Sequence, residues 1–214
     1  MGSDYTLPWR QILLEPSGET LFDALLERHL NLETTVLEAG CAGGRDAAVY
    51  APRVKHWTGY DFTPQFLDTA RARGIQNADF VDWHSSREAV PAAILERAPF
   101  DLIVDRRGPT SIVQHLPVLS HASSRFVYVG PRGADLLEEM RGKLEAVRWQ
   151  VTWSAVVDAR GFLPTFEDYV SRARFADLPH SRAEFEAQAT AQGFPITETK
   201  VIIVAMPIPS SRGA

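Results

Sequence analysis

The stretch Val36-Leu37-Glu38-Ala39-Gly40-Cys41-Ala42-Gly43-Gly44-Arg45-Asp46 indicates a buried strand, a turn of small residues and the start of a helix. Residues 34–37 are β-branched or apolar, which is typical of a parallel strand covered on both faces. Asp46 lies in the first helical turn, where a negative charge complements the helix dipole. Because the turn carries almost no side-chain volume, a ligand can lie against its backbone N–H groups. The stretch therefore predicts a site for a nucleotide-like cofactor.

Acidic residues end this strand and the three strands predicted after it. Glu38 precedes the first glycine, where a carboxylate suits a cationic ligand better than a pyrophosphate, which it would repel. Asp61 ends the second strand, where an acid can accept hydrogen bonds from ribose hydroxyls. Asp82 and Trp83 follow the third strand and could hold an adenine by its amino edge and its face. Asp105 ends the fourth, so one crevice at the carboxyl edge can hold all four acids.

These residues resemble the class I S-adenosylmethionine-dependent methyltransferases. Four segments carry the resemblance: the glycine-rich first motif (36–45), the second-strand acid with the following helix start (59–67), the adenine-edge position (81–83), and the fourth strand with its loop (100–107). The resemblance spans roughly residues 32–131 and extends more loosely to Met206. One departure is Ala42, which stands where the middle glycine of the first motif usually is.

The resemblance implies that S-adenosylmethionine is the cofactor and S-adenosylhomocysteine the product. The implied cofactor-binding residues are Glu38, Gly40, Cys41, Ala42, Gly44, Asp61, Phe62, Asp82, Trp83 and Asp105. Asp61 would take the ribose hydroxyls, and Asp82 would take the adenine amine. The turn would lie against the ribose and the amino-acid portion, with Glu38 supporting the turn and the ammonium side. Either Phe62 or Trp83 could flank the adenine ring, and each could equally belong to the core.

The loop that follows Asp105 borders both cofactor and acceptor substrate in this family, and it contains the first of three catalytic candidates. Arg106 could clamp an anionic acceptor through bidentate hydrogen bonds, or it could pair with Asp101 or Asp105. His84 and His115 are expected near the same rim, where a histidine could take a proton from an oxygen or nitrogen nucleophile. The sequence does not choose among these three.

The alternation of strands and helices predicts an α/β fold. We expect a Rossmann-like, mostly parallel seven-stranded sheet with helices on both faces and an antiparallel last strand. The expected strands are 34–39, 56–61, 78–82, 100–105, 125–129, 147–157 and 197–206. The expected helices are 17–30, 44–51, 64–73, 86–97, 110–120, 134–144, 165–176 and 181–192.

The chain of 214 residues fits one domain, spanning residues 1–214. Residues 1–31 are expected to form an N-terminal lid and a helix. Residues 159–194 are expected to form a helical insertion between the last two strands, because a simple hairpin needs only a few residues there. This insertion could cover the active site or form a dimer surface. Alternatively, its aromatic residues dock the helices on the sheet: Phe162, Phe166, Tyr169, Phe175 and Phe185.

Composition excludes several classes of protein. The single cysteine, Cys41, rules out a disulfide framework or a cysteine metal cluster within the chain, and we expect no metal site. No apolar run approaches the ~20 residues that span a bilayer, and the N-terminus lacks an apolar signal-peptide region. We therefore expect a cytoplasmic protein without a membrane partner. Only three of the 22 basic Lys and Arg residues are lysines, which suggests a GC-rich, bacterial genome.

The leading hypothesis is an S-adenosylmethionine-dependent methyltransferase that acts on a small or medium-sized acceptor, as a monomer or homodimer. An RNA-base acceptor stays possible, but the net charge of −5 does not indicate a nucleic-acid surface. Because Ala42 enters the turn, a non-catalytic S-adenosylmethionine-binding or regulatory protein also stays open. A nicotinamide oxidoreductase is disfavoured by Glu38 and by the glycine spacing of the turn.

Overall fold

The structure is a computed structural model that describes residues 9–131, 133–175 and 181–209. Its strands are β1 (Ile12–Leu13), β2 (Thr35–Ala39), β3 (His56–Asp61), β4 (Ala78–Asp82), β5 (Phe100–Arg106), β6 (Ser120–Pro131), β7 (Trp149–Leu163) and β8 (Phe194–Pro207). Its α-helices are α1 (Gly18–Glu27), α2 (Arg45–Tyr50), α3 (Pro64–Ala72), α4 (Ala92–Leu95), α5 (Leu116–Leu119), α6 (Ala134–Ala146), α7 (Phe166–Phe175) and α8 (Arg182–Gln188). Short 3₁₀ helices span Ala51–Arg53 and Thr110–His115.

The strands form one sheet in the order β1-β7-β8-β6-β5-β2-β3-β4. Strands β2 to β6 are parallel to their neighbours within this set, whereas β8 is antiparallel to both β6 and β7. The predicted α/β fold, with a mostly parallel sheet and an antiparallel last strand, is therefore confirmed. The two-residue strand β1, which the sequence did not predict, pairs with β7 at the edge.

The order of the strands also locates the switch point. Strands β3 and β4 lie on one side of β2, and β5 and β6 lie on the other side. The topological switch point therefore lies between β2 and β5.

Apolar side chains cover both faces of the sheet. Val36 of β2 packs in the cluster formed with α1 and α2, whereas its neighbour Leu37 packs in the cluster formed with α4, α5 and α6. Burial of each such side chain contributes about 1.5–3 kcal/mol. Helix α1 begins as predicted, because the Ser17 side chain accepts a hydrogen bond from the Glu19 backbone N–H at 3.2 Å. The alternation of faces along each strand decides which side chains can meet at the site.

Helices α1 and α8 end at Glu27 and Gln188, earlier than predicted, and two other helices differ more from their predicted extents. The helix expected over 86–97 is limited to Ala92–Leu95, because Pro91 lacks a backbone N–H and disfavours helical geometry at Val90. The segment 110–120 is helical in two parts, a 3₁₀ helix followed by the short α5. Both segments follow the carboxyl ends of strands, so their shapes affect the walls of the crevice.

Strands β7 and β8 form a longer hairpin than predicted. They pair along their full length as far as Leu163 opposite Phe194, so residues 159–163 of the expected insertion are strand. Helices α7 and α8 close the end of this hairpin. Four aromatic rings contact one another there: Phe166, Tyr169, Phe185 and Phe194. Together with Trp9 they pack in the cluster of Leu163 and Ile196. These contacts dock the helices on the hairpin, whereas the Phe175 side chain lies outside the described residues.

The expected N-terminal lid lies largely outside the described residues, since residues 1–8 are not among them. The part that is described, from Trp9 onward, follows the hairpin. The Arg10 backbone N–H donates to Asp168 of α7 at 2.7 Å, and Gln11 Nε2 donates to Glu198 of β8 at 2.9 Å. Among residues 9–131, 133–175 and 181–209, no helix combines the length and apolar character needed to cross a membrane.

Candidate functional site

The small-residue turn connects β2 to α2 at the switch point. Three of its residues have left-handed backbone geometry, with φ of +66° at Gly40, +44° at Ala42 and +69° at Gly44. The Cys41 N–H donates to the Tyr60 carbonyl at 2.9 Å, which fastens the turn to β3. A β-carbon on Gly44 would lie 2.9 Å from Cβ of Ala70 on α3, so this glycine permits close helix packing. The turn thus presents backbone, with no side chain larger than a methyl group apart from the buried Cys41.

Asp61 fastens the same turn from the end of β3. Its Oδ2 accepts a hydrogen bond from the Ala42 N–H at 3.1 Å, and its Oδ1 accepts one from the Thr63 N–H at 2.9 Å. The carboxylate is buried, whereas Asp82, its register partner on β4, is exposed. The two carboxylates that were predicted for ribose and adenine therefore lie on adjacent strands and on the same face of the sheet.

Glu38 lies beneath the turn instead of facing solvent. It is only 4% exposed, and its Oε2 accepts a hydrogen bond from the Trp57 indole N–H at 2.8 Å. Burial, and secondarily the charge of Asp46, raises the pKa of Glu38 well above its ordinary value, and Asp61 adds to the effect. The side chain thus lies on the face that α1 and α2 cover and is hydrogen-bonded to β3, and its support of the turn stays a prediction.

Asp105 faces the opposite side of the sheet, together with Tyr60. Both pair in register with Ala39 of β2, one from each neighbouring strand. Asp105 Oδ1 accepts a hydrogen bond from the Gly108 N–H at 2.6 Å, while Asp105 Oδ2 and Tyr60 Oη are buried without a hydrogen-bond partner among the described residues. Burial raises the pKa of Asp105 to about 7. Because an unpaired buried polar atom costs about 1–3 kcal/mol, a polar group that reached these oxygens would be bound favourably.

The loop after β5 closes over the switch point. A β-carbon on Gly40 would lie 2.9 Å from the Gly108 Cα and 2.9 Å from Pro109 Cδ. A β-carbon on Gly108 would lie 2.3 Å from the Ala39 carbonyl oxygen. Arg107, exposed at the tip of this loop, has a φ of +60°. The two backbones therefore touch, and a ligand at this point must lie over the contact or displace the loop.

The two aromatic candidates have different environments. Phe62 is 52% exposed, and its ring centroid lies 4.8 Å from that of His84. Trp83 is fully buried, with its ring 4.5 Å from Tyr60 and 4.9 Å from His115. Phe62 can therefore face a ligand on the rim, whereas Trp83 belongs to the core in this structure.

Cys41 is likewise buried, and burial raises the pKa of its thiol, so only its backbone is available to a ligand.

Arg106 lies in a network of carboxylates, and Asp101 and Asp105 are not its partners. Its Nε donates to Asp46 at 2.6 Å, its Nη1 donates to Glu19 at 2.8 Å, and its Nη2 donates to Asp23. The guanidinium also lies 4.5 Å above the Phe22 ring. The Arg106 side chain is only 15% exposed, so it ties α1 and α2 to β5. The sequence could not identify these partners because they lie 60 to 87 residues away.

The two histidine candidates lie near the rim on different elements. His115 Nε2 is 2.8 Å from the Ser85 carbonyl oxygen, which holds the ring against Trp83. His84 Nδ1 is 3.1 Å from Ser86 Oγ, and its ring contacts Phe62.

The sequence analysis did not identify two residues of the site, Tyr60 and Gly108. Tyr60 precedes Asp61 on the strand and so points to the other face, and this alternation is the signal that could have found it.

Comparison with known proteins adds one relative and many similar folds. No protein-family model and no curated protein matches the sequence. A functionally unknown protein from Deinococcus radiodurans R1 shares 38% identity, and the match covers 95% of this chain and 94% of that one with a TM-score of 0.86.

Two more distant structures have the same fold. A provisionally assigned methyltransferase from Bacillus halodurans C-125 shares 15% identity, with a TM-score of 0.65 over 88% of this chain and 99% of that one. A TehB-like SAM-dependent methyltransferase from Corynebacterium glutamicum shares 15% identity, with a TM-score of 0.55 over 87% and 86% of the two chains. The chain therefore belongs to one family with the Deinococcus radiodurans protein and has the fold of the class I S-adenosylmethionine-dependent methyltransferases.

Proposed function

We propose that the protein binds S-adenosylmethionine at the carboxyl edge of the sheet and transfers its methyl group to a small or medium-sized acceptor. The observation that carries the proposal is the hydrogen bond between Asp61 and the Ala42 N–H. It joins a turn of small residues at the switch point to an acidic strand end, with exposed Phe62 immediately beyond. Ligands of open α/β sheets bind at this place. The name of the Corynebacterium glutamicum structure supports the choice of cofactor.

The residues around the turn fit this cofactor in charge and in shape. Asp61 and Asp82 give the face near the turn a negative potential, which suits a sulfonium cation and disfavours a pyrophosphate. In the proposal Asp61 accepts hydrogen bonds from the ribose hydroxyls, Asp82 accepts one from the adenine amine, and Phe62 packs against the adenine ring. Trp83 supports this edge from the core. Gly40 to Gly44 provide the bare backbone on which the ribose and amino-acid portion lie.

When bound, the cofactor supplies a methyl group that its own positive sulfur activates. The protein therefore needs no covalent intermediate, and its residues act by alignment and by exclusion of water. Effective alignment of two reacting groups can contribute ~7–11 kcal/mol. Gly108 and Pro109 close the crevice over the turn, and the unpaired oxygens of Asp105 and Tyr60 offer polar contacts on the acceptor side. His84 and His115 stand at the rim as proton acceptors for a neutral nucleophile. Arg106 acts as a positioning residue, since three carboxylates already surround it.

A non-catalytic binding or regulatory protein is the second candidate. Two observations favour it: the contact between Gly40 and Gly108, which closes the switch point, and the left-handed geometry of Ala42 within the turn. In this alternative the cofactor or its product binds without turnover. Binding and turnover must therefore be measured separately.

Isothermal titration calorimetry tests the binding step. We expect S-adenosylmethionine and S-adenosylhomocysteine to bind and NAD not to bind. Asp61→Asn should weaken binding at least tenfold, or ~1.4 kcal/mol, because one Asp61 oxygen then becomes a donor. Asp68→Asn, on the exposed surface of α3, is the matched control and should leave affinity unchanged. Unchanged affinity in Asp61→Asn would remove Asp61 from the site, and failure of both adenosyl ligands to bind would overturn the proposal.

A labelled methyl donor then separates the enzyme from the binder. The purified protein is incubated with methyl-labelled S-adenosylmethionine and a cell extract, which is fractionated into small molecules, RNA and protein. Label in the small-molecule fraction supports the leading proposal, whereas label in RNA would point to a base acceptor. Binding without transfer into any fraction would favour the regulatory protein.

A further inference from the structure

A second cluster of reactive side chains lies at the amino edge of the sheet, opposite the proposed cofactor site. Ser123 Oγ is 2.9 Å from His121 Nδ1, and His121 Nε2 is 2.9 Å from Asp101 Oδ1. Asp101 is the second residue of β5, and the other two residues lie at the irregular start of β6, where the pairing register shifts. A hydroxyl, an imidazole and a carboxylate are thus joined in series, the order in which a nucleophile, its base and the group that orients the base are joined.

Neighbouring residues hold Asp101 and His121 of this series in place. Asp101 Oδ2 accepts hydrogen bonds from the Thr35 N–H and Oγ1–H, both at 2.8 Å. Although burial raises it, these bonds and the one from His121 hold the pKa of Asp101 below its ordinary value, so the carboxylate is ionised at neutral pH. The His121 N–H donates to the buried Ser124 Oγ at 2.9 Å, which fixes the turn. An ionised Asp101 favours a proton on His121 Nε2 and leaves Nδ1 to accept from the Ser123 hydroxyl at 2.9 Å, and from the Ser123 backbone N–H at a longer 3.3 Å.

A surface depression of about 320 Å³ adjoins the cluster, and Ser123, Asp101, His29 and Arg125 contribute to its lining. Arg125 Nη1 donates to the carbonyl oxygens of Ser123 and Ser124 at 2.8 and 3.1 Å. These bonds hold the guanidinium beside Ser123, and its other N–H groups are available to an oxygen that develops negative charge. Burial, and then the charge of Arg125, lowers the pKa of His29, so the depression gains little positive charge from that residue.

From this geometry we propose that Ser123, His121 and Asp101 form a nucleophilic triad that hydrolyses small carboxylic esters bound in the depression. Ser123 Oγ forms a bond to the ester carbonyl carbon while its proton moves to His121 Nδ1, and Arg125 stabilises the oxyanion. The carbon–oxygen bond to the alcohol then breaks, and the alcohol leaves with the proton from His121. Water attacks the acyl-serine, His121 takes its proton, and the carboxylic acid departs as Ser123 regains a hydrogen. The sum is ester plus water giving acid plus alcohol, with no oxidant or further reactant.

The chain contains its own control for this arrangement. His84 and Ser86 have the same His-x-Ser spacing, and Ser86 Oγ lies 3.1 Å from His84 Nδ1. In the part of the chain that the structure describes, however, no carboxylate is hydrogen-bonded to His84 Nε2. If a neighbouring histidine alone could activate a serine as a nucleophile, both Ser86 and Ser123 would react with an ester. The proposal requires that only Ser123 reacts.

Hydrolysis of p-nitrophenyl acetate and labelling by a fluorophosphonate probe test the proposal on the full chain. We expect hydrolysis above that of the heat-unfolded protein and a single adduct that peptide mass spectrometry places on Ser123. Ser123→Ala and His121→Gln should each reduce hydrolysis at least tenfold and abolish the adduct, whereas Ser86→Ala should change neither. Asp101→Asn should lower kcat more than it changes KM, because Asp101 acts by orienting His121.

Three results would overturn the proposal: no hydrolysis above the unfolded control, an adduct on another residue, or full activity in Ser123→Ala. Because Ser123 is exposed, its substitution by alanine should leave the fold intact, which circular dichroism checks. The adduct on the unsubstituted protein gives a readout that needs no variant. S-adenosylmethionine affinity should be the same in Ser123→Ala, so this proposal and the methyl-transfer proposal can fail independently.

Discussion

Gly40 and Gly108 touch across the switch point of the sheet: a β-carbon on Gly40 would lie 2.9 Å from the Gly108 Cα. The contact joins the turn after β2 to the loop after β5, which are separated in sequence but lie on adjacent strands. Neither position can carry a larger residue without moving the other backbone. The width of the proposed crevice is therefore determined by this pair of glycines.

Gly40→Ala should destabilise the protein more than Gly74→Ala does. Both glycines have nearly the same left-handed geometry, with φ of +66° and +64°, but a β-carbon on Gly74 meets no atom within 4 Å. Gly74→Ala should thus cost about 1–2 kcal/mol of unfolding free energy from backbone strain alone. Gly40→Ala should cost a further 1–3 kcal/mol, approximately, from the clash with the loop. Urea unfolding measures both, and equal costs would show that the loop is not held against the turn.

Ala42→Gly should relieve strain in the turn. Ala42 has a φ of +44°, a region that costs a non-glycine residue about 1–2 kcal/mol. Glycine removes that cost but gives the unfolded chain more entropy, which offsets about 0.4–1 kcal/mol. We expect an unfolding free energy equal to or up to about 1 kcal/mol above that of the unsubstituted protein. If S-adenosylmethionine binds, its affinity should not fall. If Ala42→Gly instead lost more than about 1 kcal/mol of unfolding free energy, the Ala42 methyl group would be making stabilising packing contacts.

Arg106→Met should be strongly destabilising because it leaves Glu19, Asp23 and Asp46 without their shared cation. Removing one partner from a largely buried ion network typically costs about 3–5 kcal/mol. Thermal and urea unfolding would measure this loss. Arg160→Met is the matched control, since the pair between Arg160 and Glu15 is exposed and should contribute little. A small effect at Arg106 would show that methionine packing over Phe22 compensates for the lost charge.

Asp105→Asn should change how stability depends on pH. The pKa of Asp105 is raised to about 7 in the folded protein, above the ordinary 3.8, so the folded state holds a proton that the unfolded state has released. The contribution of Asp105 to stability therefore falls as pH rises from about 4 to about 7. Asparagine keeps the acceptor for the Gly108 N–H and cannot ionise. Relative to the unsubstituted protein, Asp105→Asn should gain stability with rising pH, by up to about 4 kcal/mol.

Urea unfolding between pH 5 and pH 8 checks the Asp105 prediction. Glu38→Gln serves as the comparison, because burial also raises the pKa of Glu38 and the sign of its pH dependence is the same. Glutamine would still accept the hydrogen bond from Trp57. A stability difference between Asp105→Asn and the unsubstituted protein that did not vary with pH would mean that Asp105 is ionised throughout this range.

Local sequence signals predicted the elements that build the candidate site. The turn from Gly40 to Gly44, the start of α1 directly after its cap Ser17 and the acidic strand ends Asp61 and Asp82 all lie where the patterns placed them. Such signals act over a few residues, through backbone geometry and capping, so they can be recognised in the sequence without knowledge of the fold. The helix expected over 86–97 is shortened for a local reason too, since Pro91 interrupts it.

The sequence by itself determined the α/β fold and the row of acids at the carboxyl edge of the sheet, because strand periodicity and turn composition are local properties of the chain. Only the tertiary structure decided what each side chain contacts. It placed Glu38 against Trp57 and surrounded Arg106 with carboxylates from α1 and α2. It also joined Asp101 to His121 and Ser123 at the opposite edge. These partners lie on different strands and helices, and crossover connections bring them together in a way that no window of sequence encodes.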